Sequence, residues 1–138
     1  MLRVIFSFML FVAAGCVQLP QTVADIQGKK FESEPGKAVI YIVRPRVDGR
    51  VAAPLSFNNG MLSTFPGTYY RWIVAPGAHR IEGFGPYTAV VTVQAEAGKI
   101  YYIEHTASGS VRAGLQSMHL RRIDENLGRL MVSQAQSL

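Results

Sequence analysis

Residues 38–44 read AVIYIVR, a run of β-branched and aromatic side chains that Pro45 stops. A run this short and continuous suits a strand buried on both faces or placed at the centre of a sheet. The same punctuation then repeats. Residues 54–65 (PLSFNNGMLSTF) set Asn59-Gly60 between two apolar stretches, and Asn-Gly tolerates positive φ at both central positions of a type I′ turn, predicting a hairpin. Residues 68–75 (TYYRWIVA) alternate aromatic and aliphatic side chains before Pro76-Gly77, a type II turn signature, with 79–84 as the return strand. Gly83, Gly85 and Pro86 break the chain. Residues 88–95 and 99–106 then form a second predicted pair around Ala97-Gly98, and a further strand is expected to cover 111–121.

After these strands the period changes. Ile123, Leu127, Leu130 and Met131 recur at i, i+4, i+7 and i+8, one apolar stripe of a helix with Asp124 as its N-cap. Gly128 inside that stripe costs about 1 kcal/mol relative to Ala. Short strands at close spacing followed by one helix predict a mainly β domain. The expected architecture is a small antiparallel β-sandwich or partly open barrel. Its short C-terminal helix is expected to close one end or cover an edge strand.

The chain has 138 residues, 49% of them hydrophobic and 17% charged, enough for one domain with a real core. A single cysteine, Cys16, excludes an internal disulfide and any zinc site built on several thiolates. Residues 17–36 (VQLPQTVADIQGKKFESEPG) hold two prolines, two glycines and no sustained period. They read as a tether with at most a short helical or extended segment. The expected division is therefore a signal peptide at 1–15, an N-terminus and tether at 16–36, and one β-rich domain with its helix at 37–138.

The N-terminus carries the clearest address. Arg3 precedes an apolar run over residues 4–12, and Ala13, Ala14 and Gly15 lead directly into Cys16. The run is shorter than the roughly 20 residues of a membrane-spanning helix and has the length of a signal-peptide core. The step Val12-Ala13-Ala14-Gly15-Cys16 resembles the lipobox of bacterial lipoproteins, with Ala13 in place of the more usual leucine. That resemblance implies that the Cys16 thiol carries diacylglycerol, that residues 1–15 are removed, and that the new amino terminus is acylated. Cys16 is then a lipid anchor rather than a catalytic thiol or metal ligand. Val17, where a retention signal would show Asp, favours the periplasmic face of the outer membrane. Losing Arg3 from the fourteen basic residues leaves +4 against nine acids, a mildly basic, solvated surface. Nothing in it resembles a nucleic-acid groove.

The order of motifs in the body is also familiar. Residues 37–45 (KAVIYIVRP), then Gly67-Thr68-Tyr69-Tyr70, Ala75-Pro76-Gly77-Ala78-His79 and residues 97–103 (AGKIYYI) follow one another. This order resembles the bacterial lipoprotein family called domain of unknown function 2846, and its Pro-Gly turn is similar to PEGA-type β modules. The resemblance spans roughly residues 37–122 and implies a β fold in the cell envelope. Its motifs are turns and aromatic strands, so it transfers no catalytic residue.

Catalytic groupings are hard to assemble from these residues. His79, His105 and His119 form no H-x-x-x-H or H-x-H pair, and Glu104 and His105 point to opposite faces of a strand. Ser56, Ser63, Ser108 and Ser110 lie in no G-x-S-x-G context, Glu32 and Glu34 sit in the tether, and no cofactor loop is legible. Tyr70, Arg71, Trp72 and Tyr102 are more suggestive. Outward rings beside an arginine make a candidate recognition patch for an envelope protein or cell-wall polymer, against the alternative of cross-strand packing. The expectation is a non-catalytic binding or scaffold module held at the membrane by its N-terminal lipid. The alternatives are an immunity or inhibitor lipoprotein against an envelope toxin, and a small metal-binding hydrolase using the three histidines.

Overall fold

A computed structural model describes residues 20–47, 49, 52–58, 60–84, 89–109 and 116–138. In chain order these form α1 (Val23–Gly28), β1 (Ala38–Arg44), β2 (Ala53–Phe57), β3 (Gly60–Thr64), β4 (Thr68–Val74) and β5 (Gly77–Gly83). Then come β6 (Val90–Ala95), β7 (Ile100–Ser108), β8 (Ser117–Ile123), α2 (Glu125–Ser133) and the two-residue β9 (Gln136–Ser137). Two open sheets pack as a sandwich, one ordered β8-β7-β1-β4-β9 and the other β3-β2-β5-β6. The mainly β expectation holds, in its sandwich form with a short C-terminal helix.

β1 explains the arrangement. Every residue of AVIYIVR is buried, as its unbroken apolar character requires. Ala38, Ile40 and Ile42 enter the core between the sheets with Leu55, Ile81, Val93 and Ile103. Val39, Tyr41 and Val43 enter a second layer on the opposite face, with Tyr69, Tyr102 and Val132. Two flanking strands hold β1 in place, β4 antiparallel and β7 parallel. The β1–β7 pair and the short β4–β9 pair are parallel exceptions in a sandwich expected to be antiparallel.

Two predicted hairpins are not hairpins. The Pro76-Gly77 turn carries the chain from β4 in the larger sheet to β5 in the smaller, and the turn at 96–99 returns it from β6 to β7. The true partners are β5 with β6 and β7 with β8. A tight turn dictates only a local reversal. Whether the strands beyond it pair or separate into two layers depends on which partners bury their apolar faces. The remaining predicted hairpin, β2–β3, forms with its turn one residue earlier than the Asn59-Gly60 reading. Phe57 pairs with Gly60, and Asn58, directly after Phe57, turns the chain at φ 40. That register sets Leu55 opposite Leu62, both packed on the inter-sheet core, and a one-residue slip would turn either away.

α2 starts where its capping signal places it, with the Asp124 carboxylate accepting from the Leu127 amide at 3.0 Å. It covers neither an edge nor an end; it lies across β1 and β7 on the outer face of the larger sheet. Its buried stripe runs through Gly128 and Val132, with Leu127 and Met131 partly buried, while Leu130 faces solvent. Gly128 marks the closest approach. A Cβ there would lie 2.2 Å from Tyr102 Cγ, so only glycine lets the helix rest on that ring.

The segment read as a tether is folded for much of its length. α1 docks beside β4 and β9, and Tyr41 donates to the Gly28 carbonyl at 2.7 Å. Phe31, at φ 54, then turns its ring against Tyr41 and Tyr102, with centroids 5.8 and 6.5 Å away, and the Arg129 guanidinium stacks over it. A left-handed Phe costs about 1–2 kcal/mol, which this aromatic packing offsets.

Candidate functional site

The four residues of the expected recognition patch do not share a surface. Tyr70 and Trp72 face the core between the sheets, where Phe57 stacks on Tyr70 at 5.9 Å and tilts against Trp72 at 4.9 Å. Arg71 lies on the other face of β4. There its Nη2 donates to Glu34 Oε1 at 2.8 Å and to the Glu32 carbonyl at 3.2 Å, pinning the segment after α1. Tyr102 is only 2% exposed and lies beneath α2, stacked on Tyr41 at 5.3 Å. The alternation of a strand splits 70 and 72 from 71, and helices cover the face that would have shown Tyr102. Glu34 is thus a partner of Arg71 rather than a freely solvated charge.

The histidines are also separate. His79 hydrogen-bonds through Nε2 to the Ala75 carbonyl at 2.7 Å, and its Nδ1 meets the Asn58 amide at 3.2 Å. This suits the Nε2–H tautomer, with Asn58 oriented to donate. Its ring also meets Trp72 edge-on. His105 is buried in the sandwich, with Nδ1 3.0 Å from Thr64 Oγ1. The Thr64 hydroxyl donates to the Ala53 carbonyl, which leaves the His105 ring as donor to Thr64. His119 is exposed on β8. Among the described residues, no group of three or more His, Cys, Asp or Glu is placed to hold a metal ion. Cys16 lies outside the described residues.

Sequence reasoning missed a junction built on Asp25, which is buried although α1 is short and, apart from Gly28, otherwise exposed. One carboxylate oxygen accepts from the Ser137 amide at 3.0 Å, and the other pairs with Lys29 Nζ at 2.9 Å. The Asp25 carbonyl accepts from Tyr69 at 3.2 Å, and its own amide donates to Thr22 Oγ1 at 3.1 Å. One residue thereby ties the N-terminal helix to the central sheet and to the last strand. The step Thr22-x-x-Asp25 is a helix-start signature that could have revealed it. Beside this junction runs a groove of about 1010 Å³, lined among others by Thr22, Lys29, Arg46, Gln134 and Ser137. Its lining mixes amide, hydroxyl and cationic groups and the Asp25 carboxylate with the apolar surface of Pro20 and Ala135.

The tyrosines under the two helices are held protonated. Burial, and then the neighbouring Asp25 charge, push the Tyr69 hydroxyl far above the ordinary tyrosine range. Burial pushes the Tyr102 hydroxyl up to about 12 against the opposing pull of Arg129, and it raises Tyr41 despite Arg71. At neutral pH the Tyr41 and Tyr69 hydroxyls serve as structural donors to the backbone of α1.

A scan of protein-family models finds no matching family, and a search of curated proteins finds no match.

Proposed function

We propose that this protein is a lipid-anchored module of the bacterial cell envelope, held at the periplasmic face of the outer membrane, that binds or positions a partner without catalysing a reaction. The observation that carries this reading is the Val12-Ala13-Ala14-Gly15-Cys16 step behind a basic residue and a short apolar run. The body supports it in two ways. The side chains with chemical potential in the described residues are engaged in architecture: His79 with Asn58, His105 with Thr64, Arg71 with Glu34 and Asp25 with Ser137. The docking of α1 also shortens the free segment after Cys16. Thr22, the cap, follows Cys16 by six positions, a reach of about 20 Å even fully extended. A partner is therefore engaged close to the membrane surface.

The test is the mass of the chain extracted from membranes, run beside Cys16→Ser. The expected mature chain begins at Cys16 and carries acyl groups, and the variant loses them and leaves the membrane fraction. A wild-type chain that keeps residues 1–15, or that lacks acyl groups, overturns the reading.

A further inference from the structure

α1 buries Asp25 and Gly28 against the body and turns Val23 and Ile26 the other way, 78% and 50% exposed. Two β-branched apolar side chains three residues apart form one outward face of a helix that could not stand alone at six residues. The polar junction beneath fixes that face. Tyr69, Tyr41 and Ser137 all bond to α1 backbone or to the Asp25 carboxylate, so the helix cannot roll to hide Val23 and Ile26 without breaking them. Lys30 is exposed just past the helix, followed by the exposed acid Glu32, and Arg46 is exposed on the rim of the groove beside Asp25.

We infer that the outward face of α1 rests on the lipid bilayer, with Val23 and Ile26 in the headgroup–acyl boundary. This rests on the lipid anchor at Cys16. Val23 follows that residue by seven positions, so it lies within about 25 Å of the acylated residue whatever path the chain takes. The apolar pair gains by leaving water, and Lys30, four residues after Ile26, suits anionic phosphates of the headgroups. The helix axis then lies along the surface. The body is held in one orientation, with the outer face of the smaller sheet directed elsewhere.

The test uses the full chain, processed in cells, purified from membranes in detergent and reconstituted in vesicles of phosphatidylethanolamine with a minority of phosphatidylglycerol. Cys16 is the only cysteine, and acylation blocks its thiol. Val23→Cys, Ile26→Cys or, as a control on exposed β6, Gln94→Cys therefore takes an environment-sensitive dye at one place. All three positions are exposed, so each labelled chain folds. Dye at 23 and 26 is expected to shift to the blue and to lose emission with brominated lipid, while dye at 94 does neither. A chain whose mass shows acyl groups but whose dye at 23 and 26 stays in water overturns this inference alone. Equal quenching at all three positions also overturns it, because the body then has no fixed face. A blue shift without bromolipid quenching assigns the face to a second copy of this chain, the only other protein present, and overturns it likewise. A chain without acyl groups removes the anchor and this inference together.

Discussion

The two faces of the larger sheet are packed by different chemistry. Between the sheets the filling is mostly aliphatic, with Ile40, Ile42, Leu55, Ile81 and Ile103 at its centre and Phe57, Tyr70 and Trp72 toward one side. Beneath the helices the filling is a stack of tyrosines with Phe31, and two of their hydroxyls reach the backbone of α1. The first layer needs only that apolar side chains alternate along strands and meet. The second needs particular atoms to coincide: a carbonyl over a hydroxyl, a carboxylate over an amide, and a glycine where a helix touches a ring. The inner layer thus makes the sandwich, and the outer layer decides where the chain ends attach. Under the anchoring proposed at Cys16, the outer layer would also set how closely the body is tied to the anchor.

The sharpest way to break this comparison is to remove volume from each layer. Ile103→Ala, in the inner layer and fully buried, is expected to cost about 2–5 kcal/mol through lost transfer energy and the cavity left behind, measured by urea unfolding. A cost near zero would mean that the aliphatic layer is not the main source of stability. Adding a single methyl group tests the outer layer. Gly128→Ala raises helix propensity by about 1 kcal/mol, yet its Cβ meets Tyr102 at 2.2–2.6 Å. The expected net result is a loss of about 1–3 kcal/mol, because overpacking against backbone-proximal ring atoms outweighs propensity. A stabilised variant would show that α2 can lift away, and that the contact is loose.

Alkaline titration separates the layers more gently. The outer tyrosines are protonated in the folded state to a higher pH than in the unfolded chain, so the unfolded chain binds fewer protons above pH 10 and stability falls as pH rises. The contribution is intact below pH 10 and is lost through the window toward about 12 set by Tyr102. Tyr102 alone accounts for roughly 1 kcal/mol at pH 11. Tyrosinate absorbance should rise late for part of the tyrosine complement and coincide with unfolding. Simple titration of all tyrosines near pH 10 would place these rings in water and contradict the packed outer layer.

Much of the inner layer was legible in the sequence. The burial of Ala38–Arg44 on both faces follows from its composition, and Asp124 caps α2 where the stripe begins. The candidate site was much less legible. Tyr70, Arg71, Trp72 and Tyr102 looked like one patch because neighbouring residues were counted together, whereas strand alternation and the helices distribute them among two interior layers and an ion pair with Glu34. Asp25 was hidden for the opposite reason. Its partners Tyr69 and Ser137 are 44 and 112 residues away, and no local pattern announces a contact at that separation.

The sequence by itself determined the local elements: where apolar runs become strands, where Pro and Gly reverse the chain, and where a carboxylate starts a helix. These follow from dihedral preferences and side-chain periodicity within a few residues. Only the tertiary structure decided that the turns after β4 and β6 cross between sheets, that β1 and β7 run parallel, and that residues 22–31 join the body. Those outcomes depend on which distant surfaces bury each other and on where a hydroxyl or glycine allows two backbones to meet. That information belongs to the assembled layers, because no single segment contains both sides of the contact.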